Sequence, residues 1–549
     1  MIPKSFVSVL SFTIPAAFAL DNGFGRTPVL GFNTYNDIAC SPNQTYISAT
    51  LDAFKTKGLL AAGYKYFQLD CGWQGFERQA NGSITYDASV FPQGIAPLSK
   101  KARDLGYQWS MYTDQGVNSC DTIPGRPGSL GFEEQDAAQF AAWNVAYMKI
   151  DNCYIEAGQN APKDPRTDFP SRFGKISTAL QNVGIKGISI CQWGTPYASP
   201  TGLEGPSQWT APISNGYRLS DDIIDSWQNI ERIYNQAIHI ILLGRSGPGR
   251  FADMDLLEVG NAGLSSIEQA SHFAIWAMFK SPLMVSTAVP TMSDATVAIL
   301  SNRNLLSINQ DPLGEPVKLV QRFTNDRDVF VGNLSNGDKA VLVVDHSNTT
   351  RTMTIDFKTL GIRLANVKDA WTGQTQADSR TYSARVGAHG NIALRLSNVR
   401  LQTVTEPKLT WIEAESGTLS GNANKQSCTG CSGSSKVGNV GKDGTLTLSG
   451  IKTSQSTQDV RFDYINCEIN YTFAMTGRNA RGASITVNGG VGQSVLFPIT
   501  GYNWDRDVTK SYLVRLAGFK TSGTNTISIT GLSEDTTYAP DFDRIGVVA

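Results

Sequence analysis

Most of the chemistry open to this sequence rests on carboxylates. Seven short apolar runs each end in a polar cluster: Asn33 to Tyr35, Asp70-Cys71 to Trp73, Tyr112 to Asp114, Lys149 to Asp151, Gln192-Trp193, Arg218 to Asp222, and Asp253 to Asp255. Carboxylates accept hydrogen bonds from hydroxyl groups, and aromatic faces cover the C–H patches of a sugar ring, so the mixture suits a neutral polyol. Only four histidines occur, His239, His272, His346 and His389, and their spacing matches no HExxH or other metal-ligand pattern. Carboxylates are therefore the titrating groups expected of an active site.

Polar ends can meet at one mouth only if the runs before them are parallel strands. The seven runs read PVLGFNTYN, YKYFQLDCGW, YQWSMYTD, YMKIDNC, GISICQWG, YRLSDD and GRFADMD, and an eighth, PLMVST, follows them. Helical spacing fills most gaps, over Glu133 to Trp143, Phe173 to Val183, Ile223 to Ala237 and Ser266 to Phe279. Eight strand–helix units predict a (β/α)8 TIM barrel over residues 20–314, with its site at the C-terminal ends of the strands. An open doubly wound sheet is the competing fold, but it carries a Gly-rich phosphate turn after its first strand, and GFNTYN is not one. Residues 315–398 alternate in polarity between Asn-Gly or Ser-Asn turns and predict a small antiparallel β-domain. A polar linker over 399–409 leads to a Gly-, Ser- and Thr-rich region, 410–549, that predicts a second, separate β-sandwich.

A chain of 549 residues, 41% apolar and 17% charged, fits such a multidomain globular protein. Its 47 Lys+Arg against 48 Asp+Glu leave a formal charge of -1, and without a basic run this gives no footprint for nucleic acid or an anionic membrane. Lys4, the apolar stretch from Phe6 to Ala17 and the triplet Ala17-Phe18-Ala19 read as a secretory signal peptide over residues 1–19, too short for a membrane span. Export permits disulfides among the eight cysteines, whose pairing the spacing leaves open. Sequons at Asn43, Asn81, Asn333, Asn348 and Asn470 suit N-glycosylation of an extracellular protein.

LGFNTYN, YFQLDCGW, MYTD, YMKIDNC, CQWG, Arg218-x-x-x-Asp222, PGRFADMDLLEVGN and NQDPLG occur in the order found in glycoside hydrolase family 27, and residues 20–397 resemble its fungal α-galactosidases. That resemblance implies a retaining exo-glycosidase with Asp151 as nucleophile and Asp222 as acid/base, neither step requiring a metal. Asp221 is adjacent, and either aspartate could instead cap the helix expected from Ile223. The acid must be protonated when substrate binds, so a raised Asp222 pKa is expected. By the same resemblance Tyr35, Asp70, Cys71, Tyr112, Lys149, Gln192, Trp193 and Arg218 contact the sugar, and Cys40 pairs with Cys71 and Cys120 with Cys153. Two departures bear on the substrate. Family members carry Asp-Asp-Cys-Trp after strand two, whereas Leu69-Asp70-Cys71-Gly72-Trp73 has lost one Asp or shifted the cysteine; and Gln192 stands where Glu is common. A β-L-arabinopyranosidase of the same family and a catalytically silent sugar-binding protein are the alternatives. Residues 410–549 resemble a family 35 carbohydrate-binding module in Ile412-Glu413-Ala414-Glu415 and Asp541-Phe542-Asp543-Arg544-Ile545, which implies a structural calcium held by Glu413, Glu415 and Asp543. The implied partner is an oligosaccharide or polysaccharide.

Overall fold

The computed structural model describes residues 19–154, 168–200, 202–323, 326–402, 407–441, 443–468, 479–532 and 538–548. All but the last residue of the signal-peptide segment, and the sequon at Asn470, lie outside them. Asn43, Asn81, Asn333 and Asn348 are exposed. No helix among the described residues is long and apolar enough to cross a membrane.

Eight parallel strands form the first sheet: β1 (Leu30–Asn33), β2 (Tyr66–Leu69), β3 (Gln108–Asp114), β4 (Tyr147–Asp151), β5 (Gly187–Ile190), β6 (Gly216–Arg218), β7 (Phe251–Asp253) and β8 (Leu283–Val285). They pair in chain order, with β8 beside β1 through Leu30↔Leu283, and one parallel bridge, Leu257↔Val285, joins the remaining seam. The fold is a TIM barrel. Its strands read as unbroken apolar runs because both faces are covered: Phe32, Phe67, Met148, Ile150 and Ile188 are wholly buried. Polar residues begin where the strands leave that core, so they collect at one mouth.

Two helices differ from their expected bounds. The helix expected from Ile223 spans Trp227–Leu242 and is capped by Ser226, whose side chain accepts from the Asn229 amide. Ile223 and Ile224 continue the apolar period, but their N–H groups donate to Asp255 Oδ2 (2.8 Å) and Asn229 Oδ1 (3.1 Å), which holds them outside the helix. Neither Asp221 nor Asp222 is the cap. The helix expected from Phe173 begins at Phe169 with Pro170 in its first turn, where proline's missing N–H is harmless.

The β-region after the barrel is not separate from the C-terminal one. Lys318–Phe323 pairs antiparallel with Arg327–Asn333 on one side and parallel with Thr509–Ala517 on the other, through Arg322↔Val514. One twelve-stranded sheet thus runs through both regions. The linker is also shorter than expected, because strand Asn391–Leu401 runs past residue 398 and strand Leu409–Glu413 begins at 409. The C-terminal half of that sheet faces a five-stranded sheet across a core containing Val460, Phe462, Ile485, Phe497, Val514 and Phe542. Its first and last strands pair antiparallel, Glu413 opposite Arg544.

Candidate active site

Asp70, at the end of β2, anchors the floor of the barrel mouth. Its Oδ2 accepts from Asn33 Nδ2 (2.6 Å) and Lys149 Nζ (2.9 Å), and its Oδ1 from the Cys71 amide (3.0 Å). Burial lowers the Lys149 pKa, but Asp70, Cys191 and Asp151 outweigh it and hold the ammonium charged. Lys149 also lies over the rings of Tyr35 and Tyr112, 5.6 and 5.3 Å from their centroids. Two residues on, Asp151 ends β4 in register with Asp114. Its Oδ1 accepts from Trp193 Nε1 (3.1 Å) and the Asn152 amide (2.9 Å), while Oδ2 accepts no hydrogen bond among the described residues.

Arg218, at the end of β6, is a buried fork. One nitrogen pairs with Asp222 at 2.7 Å and another with Asp255 at 2.9 Å. The Asp222 side chain is 42% exposed, whereas Asp151 is 7% exposed. One carboxylate therefore sits at the mouth and the other at the floor. Asp221 turns the other way, into an ion pair with buried Arg232.

These contacts set the charges. Burial pushes the Asp151 carboxyl up to about 6; Lys149 pulls it down, and Asp222 and Asp70 push it up further. Burial also raises Asp222, but the Arg218 guanidinium outweighs it and holds this carboxyl below the usual aspartate range. The expected raised pKa on Asp222 is thus reversed: Arg218 favours the charged form of Asp222, and burial favours the protonated form of Asp151. Tyr35 is pushed up to about 12 by burial and the surrounding carboxylates, so its hydroxyl remains a donor.

The mouth holds a cavity of about 190 Å³ lined by Tyr35, Asp70, Lys149, Asp151, Trp193, Arg218 and Asp222. That is below the roughly 300 to 1,000 Å³ of drug-sized pockets, and leaves room for one sugar ring rather than a chain. Three of the expected contacts lie behind this surface. Cys71 is bridged to Cys40, Tyr112 is wholly buried with its hydroxyl accepting from the Cys120 amide (3.2 Å), and Gln192 is wholly buried with neither amide atom hydrogen-bonded among the described residues. Cys120 and Cys153 are bridged and border the cavity. Cys428 is bridged to Cys431, while Cys191 and Cys467 are free and buried. At the strand-two departure Cys71 is tied to Cys40 and Leu69 is wholly buried, which leaves Asp70 as the one carboxylate of the stretch from Leu69 to Trp73.

Asp255, Asp121, Thr122 and Tyr154 also line the cavity, and the motif reading gave them no role. Asp255 had a signal in its strand-end position. Its backbone, with those of Trp193 and Tyr154, adopts positive φ values of 78°, 57° and 39°, a strained geometry that clusters at functional sites.

A family model described as alpha galactosidase A matches residues 34–311, and one for the alpha galactosidase C-terminal beta sandwich domain matches residues 324–396. Probable alpha-galactosidase D of Aspergillus niger is 38% identical over 391 residues, covering 69% of this chain and 58% of the relative. The corresponding Aspergillus oryzae protein is 36% identical over 417 residues, covering 72% and 61%. The chain thus spans about three fifths of the length of the curated relatives it matches. Among solved structures, alpha-galactosidase I from Mortierella vinacea superposes with a TM-score of 0.63 at 27% identity, over 70% of this chain and 100% of that one. The Saccharomyces cerevisiae alpha-galactosidase solved with raffinose gives 0.62 at 25%, over 69% and 99%.

Proposed function

Because the chain belongs to the alpha galactosidase A family, whose model matches residues 34–311, we propose that it is a secreted, retaining exo-glycosidase that removes terminal α-D-galactosyl residues from oligosaccharides and galactose-containing polysaccharides. The observation that carries this reading is the pairing of a floor carboxylate, Asp151, with a mouth carboxylate, Asp222, in one cavity of single-sugar size. Trp193 and the Asn152 amide engage Asp151 Oδ1, which leaves Oδ2 as the attacking atom. Oδ2 displaces the leaving oxygen from the anomeric carbon while Asp222 gives that oxygen a proton; Asp222 then takes a proton from the water that frees the sugar. Its position at the mouth suits both exchanges. Raffinose in the yeast relative's structure fits the proposed substrate class. Turnover of aryl α-galactoside, β-L-arabinopyranoside and α-N-acetylgalactosaminide in one panel tests the reading, and silence on all three overturns it.

The single carboxylate at the end of strand two, Asp70, bears on the choice within that panel. A second Asp would offer acceptors to the sugar hydroxymethyl group, and a site with an unpaired buried acceptor discriminates by ~1 to 3 kcal/mol against an analogue lacking that group. Here Asp70 is followed by Cys71, whose sulfur is bridged to Cys40 and is a weak acceptor, and both Asp70 oxygens already have partners. The expected result is a preference for α-galactoside over β-L-arabinopyranoside of no more than about a hundredfold in kcat/KM. A ten-thousandfold preference would show the hydroxymethyl oxygen firmly held.

For residues 410–549 we propose a carbohydrate-binding sandwich with a structural calcium. Glu413 Oε2 and Glu415 Oε2 are buried without a hydrogen-bond partner among the described residues. Nearby, Asp543 is pushed up to about 6 by burial, despite donation from the Ser432 amide, with Asp463 and Glu413 adding to the rise. Surplus buried negative charge of this kind fits a hard cation held by Glu413, Glu415 and Asp543, which would tie the first strand to the last. Excess calcium is expected to raise the Tm by several degrees and a chelator to reverse it, as binding to the folded form alone requires. A Tm indifferent to both refutes the calcium.

A further inference from the structure

The C-terminal sandwich touches the barrel on the turn after Trp193 and on a helix that hydrogen-bonds the Asp222 segment. Asn479, buried, donates through Nδ2 to Gln236 Oε1 (2.9 Å) and to the Arg232 carbonyl (3.3 Å), four residues apart on one face of the helix Trp227–Leu242. Both helix residues reach into the segment that ends in the mouth carboxylate. Gln236 Nε2 donates to the Leu219 carbonyl, and Arg232 pairs with Asp221 and donates to the Asp222 carbonyl (3.4 Å).

The same patch reaches the other side of the mouth. Tyr502 donates to the Gly194 carbonyl (3.4 Å) and packs so closely over Gly205 that a Cβ there would lie 1.9 Å from its oxygen, while Asn503 Nδ2 donates to the Leu203 carbonyl (3.0 Å). Gly194 follows Trp193, the donor to Asp151, and has φ +72; a Cβ on it would lie 2.0 Å from the Leu219 carbonyl. Only glycine lets the two loops close on each other here.

We propose that the C-terminal sandwich is part of the catalytic scaffold, with Asn479 and Tyr502 as positioning residues that hold the Asp222 segment and the Trp193 turn in register. This rests on the roles given above to Asp151 and Asp222. A sandwich that served only as a tether for polymeric substrate would have no reason to place buried polar groups against the Trp193 turn and against the helix that holds the Asp222 segment. The full chain carrying Asn479→Leu tests it against wild type on an aryl α-galactoside. The expected result is a ~tenfold fall in kcat with KM within about twofold, because misplacement of a catalytic group acts on the transition state. Amide hydrogens over residues 216–226 are expected to exchange faster than in wild type while the barrel strands stay protected. Gln236→Leu gives the same fall, and the double variant adds little, since both break one path. Asn479→Ser, a milder change, loses kcat by a smaller factor and carries the test if the leucine variant does not fold. A kcat within twofold of wild type, or a loss confined to KM, overturns the proposal. A wild-type chain inactive on every aryl glycoside overturns the α-galactosidase reading instead, and exchange over 216–226 still decides whether Asn479 holds the segment.

Discussion

Asp151→Asn lowers kcat on an aryl α-galactoside by at least about ten-thousandfold, because an amide oxygen cannot form the glycosyl-enzyme ester. The same substitution leaves the Tm at pH 7 unchanged or raises it. Burial lifts the folded-state pKa of Asp151 to about 6, above the ~3.9 of an unfolded aspartate, so the folded chain binds this proton more tightly and loses stability as pH rises through that window. Replacing the carboxyl by a neutral amide removes that loss, while Lys149 keeps its partner in Asp70. Activity and stability therefore move apart, as expected where a charge is held for catalysis rather than for folding. Asp151→Ala adds a stereochemical check: azide entering the vacated floor leaves β-galactosyl azide. A variant that keeps a tenth of the wild-type kcat, or that loses activity only in step with a collapsing Tm, defeats the nucleophile assignment.

The barrel was legible because each strand is a short apolar run ending in chemistry, and that pattern is local. The strand-end placement of Asp151 and Asp222 was legible for the same reason, while the roles proposed for them rest on the family resemblance carried by Lys-x-Asp and by the Arg four residues before Asp222. What escaped was non-local. Nothing near Lys318–Phe323 marks it to pair with Thr509–Ala517, since parallel pairing across so long a separation leaves no turn signal. Ile223 and Ile224 kept the helical period while their amides were committed to Asp255 and Asn229, so periodicity alone started the helix too early. The direction of the Asp222 shift depended on the 2.7 Å to Arg218, a distance that spacing suggests but cannot rank against burial. Asn479, next to no motif, takes its place by donating to Gln236 and to the Arg232 carbonyl on the helix Trp227–Leu242.

That ion pair shapes the second large effect. With Asp222 held low by Arg218 and Asp151 near 6, the pair is doubly protonated at low pH, singly protonated below about 6 and doubly ionised above. Catalysis needs one proton and one charge, so kcat/KM follows a bell whose alkaline limb falls through about pH 6, as the pair loses its last proton. In the free enzyme that proton favours Asp151, and the productive form, with the proton on Asp222, is the minor one. Asp222→Ala should therefore act unevenly. A substrate with a poor leaving group, which must be protonated to depart, loses about a thousandfold or more in kcat/KM, while an activated aryl galactoside loses far less. On the activated substrate the alkaline limb near pH 6 disappears, because no acid is left to lose; the profile rises with pH through Asp151 alone, at a value lowered by removal of the Asp222 charge. Deglycosylation becomes the slow step, and azide relieves it by attacking without a base, giving α-galactosyl azide, opposite in configuration to the product from Asp151→Ala. Equal losses on both substrates, a surviving alkaline limb and no rescue would move the acid/base role away from Asp222. Asp221, bound to Arg232 and turned from the cavity, is the control: Asp221→Asn should leave the alkaline limb where it is in wild type.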